Sequence, residues 1–341
     1  MSTSSPAYLP TLDALRLDVD AHLDAFLRRS SAALPENGPL IEELWRMISA
    51  GGKRLRPAFC YWGYRAGGGS DYDAIVGAAA SLELLHTFAL VHDDIMDASD
   101  ERRGQATVHA RHGVSVGVLA GDLALVLADS CLLAAGFSAD PMRRAMDAYQ
   151  TMRQEVIAGQ YLDVVVAGNS EVTEGEARRI AVLKSGRYSI EKPLVIGARL
   201  AGAGEEVVGA LAAAGEPLGE AFQFRDDLLG TFGERHSLGK PVDSDIREGK
   251  RNLLYARTAA ALSEPEQSLF KDGWGSGESL SESDIERLRS LVEQSGARAS
   301  VEELMIELAE TARARLRTAP IAPEPRAALL ALAELSINRL V

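Results

Sequence analysis

The chain has 341 residues, 46% of them hydrophobic, with 49 acidic against 36 basic side chains and a formal net charge of −13. That balance argues against a nucleic-acid partner, while the apolar fraction suffices for one large core. Only two cysteines occur, Cys60 and Cys131, both in apolar helical surroundings; this excludes a disulfide framework and fits a cytoplasmic, reducing setting.

The opening MSTSSPAYLP has no basic segment followed by an apolar one, so no secretory signal is expected and residues 1–10 read as frayed. Apolar spacing predicts a first amphipathic helix over Leu12–Ser30, a Pro/Gly/Asn loop near Pro35–Pro39 and a second helix over Ile41–Ala50. Gly51-Gly52-Lys53-Arg54-Leu55-Arg56-Pro57 follows, with two glycines to turn the backbone and three cations at a helix start. Such a turn could hold a phosphate, but taken alone it is more often an ordinary basic loop.

The organising stretch is Ser81–Arg103, SLELLHTFALVHDDIMDASDERR. At about 3.6 residues per turn, Glu83, His86, Leu90, Asp93 and Asp97 share one stripe of a helix predicted over Tyr72–Asp97. Asp93 and Asp97 stack one turn apart with Asp94 beside them, an arrangement that repels on its own and that a hard divalent cation relieves. A solvated acidic helix end is the alternative for a lone motif. The pattern returns, however, at Phe222–Gly230, FQFRDDLLG, where Asp226 and Asp227 close another apolar run, trailed by Lys240 and Lys250. Two such pairs suggest two walls of one site, built as bundle metal sites are from inward carboxylates.

Further helices are predicted at Val114–Phe137, Met142–Ala167, Glu174–Ala203 with a kink at Pro193, Glu205–Leu229, Leu253–Ala261, Ser283–Gln294, Ala297–Arg317 and Pro323–Leu340. Thr173 with Glu176 reads as a capping box, and Asp272–Ser281 as a Gly/Ser-rich surface loop. The most apolar segment, Gly113–Phe137, is broken by Asp122 and Asp129, which favours a core helix over a transmembrane segment. No convincing alternating strand is found, and continuous helical patterning makes residues 1–341 a single domain. Lysine is scarce, six against thirty arginines. Lys184, inside an apolar helical run, is therefore either a retained functional cation or a core lysine snorkelling to water.

In order, GGKRLRP (Gly51–Pro57), ELLHTFALVHDDIMD (Glu83–Asp97), Arg102-Arg103-Gly104, LAGD (Leu119–Asp122), GQYLD (Gly159–Asp163), KSG (Lys184–Gly186), FQFRDD (Phe222–Asp227) and GKP (Gly239–Pro241) resemble the trans-isoprenyl diphosphate synthases of the polyprenyl synthetase family. The resemblance implies an all-α, orthogonal helical bundle of the isoprenoid synthase type around a deep central cavity, as a homodimer. It implies Mg²⁺, three ions per site, bridging Asp93 and Asp97 to Asp226, with Asp94 and Asp227 in support. Arg102, Lys184 and Lys240 match positions that contact an allylic diphosphate. Lys53, Arg56, His86 and Arg103 match the isopentenyl diphosphate site. Gln223, Asp163 and Ser185 match polar groups beside the metal-bound diphosphate.

Phe88 lies five residues before Asp93, about 7.5 Å down the helix, with Ala89 small beside it. Within the family this pattern resembles geranylgeranyl (C20) synthases, with farnesyl (C15) as runner-up; ordinary core packing of Phe88 is the plain alternative. Gly230 stands where the family usually has a third aspartate, which implies a site resting chiefly on Asp226. A terpene cyclase would not need the basic GGKRLRP, and a non-catalytic subunit would have lost ligands that this chain keeps.

Overall fold

The structure is a computed structural model that describes residues 11–167, 171–233 and 243–337. Among the described residues the regular structure is helical apart from one small hairpin. The helices are α1 (Leu12–Ala33), α2 (Gly38–Ser49), α3 (Leu55–Ala66), α4 (Tyr72–Met96), α5 (Val108–His112), α6 (Val114–Leu133), α7 (Ala139–Ala167), α8 (Glu174–Ile180), α9 (Lys192–Leu200), α10 (Glu205–Phe232), α11 (Ser244–Glu248), α12 (Leu253–Ala261), α13 (Glu264–Gly273), α14 (Glu282–Gln294), α15 (Ala297–Thr318) and α16 (Pro323–Ile337). Most long helices fall within a few residues of the sequence expectation. Helices α5, α11 and α13 were not anticipated, and α3 only at its start. The hairpin pairs β1 (Glu101–Arg102) with β2 (Gln105–Ala106), strands of two residues each, too short to leave an alternating pattern.

Helix α4 lies at the centre and packs on α6, α3 and α1, while α10 packs on α15 and on the segment 181–191. The apolar residues of α4 from Ile75 to Leu85 are nearly all buried. Described helices from both ends of the chain contribute to one buried apolar cluster, from Leu15 to Ile337. Helix α6 differs: over its most apolar stretch it is only 44% buried. Both cysteine thiols are buried and unbridged.

The segment expected as one kinked helix is two α-helices joined by a π-helix, Ala181–Glu191. Pro193 follows just after the π-helix, at the start of α9 in continuous helical backbone, and has no N–H to give to the preceding turn; the irregularity lies before the proline rather than at it. Wide turns of this kind often mark functional positions, and this one carries Lys184 and Ser185. It also lets Gly186 lie directly on Gly219 of α10: a side-chain carbon at Gly219 would fall 2.3 Å from the Gly186 carbonyl oxygen. The capping box at Thr173 and Glu176 is formed. The Asp272–Ser281 stretch is no mere surface loop, since Trp274 is 2% exposed and its Nε1–H donates to the Lys250 carbonyl at 3.1 Å.

The basic turn resolves into unlike parts. Arg54 has a left-handed backbone, φ 51°, and is 4% exposed. Its guanidinium donates to Asp20 at 2.7 Å, to Glu83 at 3.0 Å and to the Ile48 carbonyl at 2.6 Å. It is thus a bolt joining α1, α2 and α4, while Lys53 beside it is exposed. Arg54→Ala leaves Glu83 buried without its cation, and loss of about 3–5 kcal/mol is expected by urea unfolding. Arg54→Lys should also lose stability, because one ammonium cannot match the three-way fork; wild-type midpoints in both variants would refute the bolt.

Candidate active site

The site is a cavity of about 290 Å³ among α4, α7, the π-helix, α10 and the stretch 244–252. Helix α4 brings His86, Ala89, Leu90 and Asp93 to its wall, and α10 brings Gln223, Asp226 and Asp227. Asp93 of the first aspartate motif and Asp226 of the second, 133 residues apart in sequence, therefore face one space together with Asp227. Asp163, Lys184, Ser185, Arg102 and Arg56 line it as well.

Within it the acids are matched to cations. Lys184 Nζ donates to Asp93 Oδ1 at 3.0 Å and to Asp163 Oδ2 at 2.6 Å. Lys250 Nζ donates to Asp97 Oδ2 at 2.6 Å. Gln160 Nε2 donates to Asp93 Oδ1 at 3.2 Å. Arg102 reaches across from the hairpin: its Nε and a terminal nitrogen lie 2.7 and 2.6 Å from Asp94 Oδ1, with Asp93 Oδ2 at 3.5 Å. Asp94 is 1% exposed. It thus holds Arg102 in place, while Asp93 lines the cavity and Asp97 is tied to it through Lys250. On the opposite wall, Gln223 Nε2 donates to Asp227 Oδ1 at 2.6 Å.

Burial works against the Lys184 ammonium, but the charges of Asp93, Asp163 and Asp97 outweigh it and hold its pKa above that of an ordinary lysine. Lys250 is raised further, by Asp97, Asp163 and Asp93 against its own desolvation. Asp227 is pushed well up, first by burial and then by the neighbouring charge of Asp245.

At the other end, Arg56 lies over the Tyr188 ring, 4.4 Å from its centroid, and donates to Ser189 Oγ at 2.7 Å. The Tyr188 hydroxyl sits 2.9 Å from His86 Nδ1. Arg103, with φ 54°, turns back from the hairpin and donates to the Gly51 carbonyl, tying the hairpin to the basic turn. It lines the adjoining small hollow with Met47 and Leu90. Lys53 lies beside these groups in sequence but does not line the main cavity.

Phe88 also stands off the cavity lining; its ring meets His92 edge-on at 5.0 Å, and His92 Nε2 lies 3.1 Å from the Val118 carbonyl of α6. Lys240 and the GKP motif lie outside the described residues. Sequence reasoning missed Tyr188, Asp245 and Asn252, and named Lys250 only as a trailing cation. For Lys250 a signal existed, as one of six lysines and one residue after Gly249.

The polyprenyl synthetase family model matches residues 39–292. The chain belongs to the polyprenyl synthetase family. It is 33% identical over 303 residues to a geranylgeranyl diphosphate synthase of Saccharolobus solfataricus, covering 88% of this chain and 90% of that protein. A geranylgeranyl pyrophosphate synthase of Corynebacterium glutamicum, solved with isoprenyl diphosphate and magnesium, superposes with a TM-score of 0.92 at 35% identity, covering 97% of this chain and all of that one. A (2E,6E)-farnesyl diphosphate synthase of Mycobacterium bovis is 39% identical over 209 residues, 61% of this chain and 57% of that protein. Members of the polyprenyl synthetase family are Mg-dependent trans-prenyltransferases, and this chain is a trans-prenyl diphosphate synthase of the all-α isoprenoid synthase fold. Hard carboxylate oxygens from two walls are the donor type that metal takes; among the described residues no three such groups gather to hold an ion by themselves, so phosphate oxygens would complete the shell.

His86 supplies a test of the electrostatics. Burial and then the nearby charges of Arg56, Arg103 and Arg102 hold its pKa well below the ordinary 6.5. The unfolded chain therefore takes up a proton near pH 6.5 that the folded protein refuses, so this contribution to stability is full above pH 6.5 and lost as pH falls towards the folded value. Urea midpoints should drop between pH 7.5 and 5.5, and His86→Gln should flatten that drop. His22, also lowered by burial, leaves a residual slope. Equal slopes in wild type and variant would show that His86 does not carry the effect.

Proposed function

We propose that this cavity condenses isopentenyl diphosphate with an allylic diphosphate and stops at the C20, geranylgeranyl, product, with residues 1–341 forming one catalytic domain. The observation that carries the reading is that Asp93 and Asp226, from the two aspartate-rich segments, line one cavity together with Lys184 and Lys250. Three magnesium ions held by Asp93, Asp97 and Asp226, with Asp94 and Asp227 behind them, would supply Lewis-acid stabilisation of the departing diphosphate.

The chain's own groups do the rest. Lys184, Lys250 and Arg102, held at the cavity by Asp93, Asp97, Asp163 and Asp94, bind oxygens of the allylic diphosphate as its C–O bond breaks. Lys240 joins them in the family pattern. These fixed cations favour the leaving group more as its charge grows, which lowers the barrier. Ser185, Gln223 and Asp163 orient the same diphosphate. Isopentenyl diphosphate is held by Lys53, Arg56 and Arg103. His86 stays neutral and offers an N–H to phosphate, its other nitrogen facing Tyr188. The alkene then attacks the allylic cation, a new C–C bond forms, and the proton lost passes to an oxygen of the released diphosphate. Val156, Ala177, Ile180 and Ala181 line the cavity and keep water from the cation.

The C20 assignment rests on Phe88 and Ala89 below Asp93 and on the geranylgeranyl synthases among the relatives. The farnesyl synthase resemblance favours C15 as the second reading. A homodimer accounts for the apolar side chains that α6 and α7 leave exposed, among them Val118, Leu119 and Val126 of α6 and Ile157 and Val164 of α7.

Incubation with Mg²⁺, isopentenyl diphosphate and each allylic primer should yield elongated diphosphates ending at C20. A C15 end point would give the second reading, and a released hydrocarbon would mean a cyclase. Asp93→Ala should reduce condensation by several orders of magnitude while leaving the fold intact by circular dichroism; near-normal turnover would refute its role. Phe88→Ala should shift the product beyond C20, and an unchanged product profile would place the length limit elsewhere.

A further inference from the structure

We infer that Glu43 of α2 is a positioning residue for Arg102 and Arg103, fixing the hairpin that carries them through Arg46 and Gln105. This rests on the reading of Arg102 and Arg103 as diphosphate-binding groups and deepens it. The hairpin has strands of two residues each, and an isolated two-stranded hairpin is marginally stable at best in water. Arg102 is tied to Asp94 and Arg103 to the Gly51 carbonyl. Both ties use the guanidinium groups that a diphosphate would recruit. An anchor independent of them is needed to hold the backbone.

Gln105 supplies it. This residue pairs with Arg102 across the hairpin, and its Oε1 accepts from Arg46 Nη1 at 2.8 Å. Arg46 is itself fixed, since its Nε and Nη2 donate to Glu43 Oε2 at 2.9 and 2.8 Å. A planar fork held through two nitrogens leaves the third aimed in a set direction. Glu43 is 8% exposed. Its other oxygen meets two groups of α5, Arg111 Nη1 at 3.1 Å and His112 Nε2 at 3.1 Å. One carboxylate thus joins α2 to α5, the helix that follows the hairpin, and Arg46 extends the join to β2. Burial works against the Glu43 charge, but His112, Arg46 and Arg111 outweigh it and hold its pKa below that of an ordinary glutamate. At the base of the hairpin the Thr107 N–H donates to the Asp100 carbonyl at 2.9 Å, so the hold on β2 reaches the strand that carries Arg102. Glu43, Arg46 and Gln105 all stand off the main cavity. They act on a substrate there only through the two arginines.

The test is steady-state kinetics of the full chain, with each diphosphate varied in turn. Gln105 is exposed, so Gln105→Leu should leave the melting temperature unchanged. It should nevertheless raise KM for both the allylic and the isopentenyl diphosphate by about 10-fold, within the roughly 100-fold that a misplacement of about 1 Å can cost. Gln105→Glu, which keeps an acceptor for Arg46, should retain wild-type KM values. Glu43→Gln should raise both KM values to a similar degree. Adding Gln105→Leu to it should raise them no further, because the two residues act through one chain of bonds. Wild-type KM values in Gln105→Leu would overturn the inference, as would effects that simply multiply in the double variant. Arg103→Ala separates the two levels. If it raises KM for isopentenyl diphosphate while Gln105→Leu changes nothing, only the role of Glu43 falls; if neither changes it, the reading of the hairpin arginines falls too.

Discussion

The structure depends on keeping several carboxylates inside an apolar helical bundle without letting them repel one another apart. Two lysines solve this in the chain by itself. At an effective dielectric of about 20, unit charges about 4 Å apart attract by about 4 kcal/mol, whereas desolvation costs several kcal/mol per buried ion. The margin is narrow, so Lys184 and Lys250 must each sit between acids rather than beside one. Lys184 bridges Asp93 and Asp163, and Lys250 lies at 2.6 Å from Asp97 and 3.8 Å from Asp163. The elements that carry them follow from this need. The π-helix carries Lys184 across from α7, and Trp274 fastens the carbonyl of Lys250.

The same constraint separates two classes of cation that look alike in sequence. Arg54 is consumed by Asp20, Glu83 and the Ile48 carbonyl and holds helices together. Arg102 is fastened to the buried Asp94 and so arrives at the cavity rim with a fixed orientation. Arg56 stacks on Tyr188 and keeps its charge near His86, which is one reason that histidine stays neutral. Overall charge is −13, yet beyond about 8 Å that surplus is screened at physiological salt. An anionic substrate would respond to these few placed cations.

Much of this was legible in the sequence because helical periodicity and the aspartate pairs are local signals. The stripe from Glu83 to Asp97 put His86 and Asp93 on one face, and they share the cavity. The parts that were not legible depend on contacts between distant segments. Nothing in GGKRLRP distinguishes buried Arg54 from exposed Lys53, since the difference lies in Asp20 and Glu83 on other helices. The π-helix keeps an ordinary apolar spacing, and its wide turn becomes necessary only where Gly186 meets Gly219. Strands of two residues leave no pattern, and a tryptophan among glycines and serines at Trp274 reads as surface until its burial is seen.

Gly230 illustrates why a motif read one position at a time misleads. In sequence it is a deletion from an acidic pattern, and the natural consequence is a poorer ligand set. In space the charge count of that wall depends on which side chains enter the volume, whichever helix they come from. A carbon at Gly230 would stand 2.5 Å from the Asp245 carboxylate, so a side chain there would require that carboxylate to swing aside. The two positions are therefore coupled by sterics as well as by charge. Fixing the acid on α11, with Lys250 five residues along the same stretch, also ties one carboxylate and one ammonium of the cavity to a single short segment. Any displacement of that segment would alter both charges at once, so the anchoring of Ile246 and Trp274 in the core bears directly on the chemistry above them.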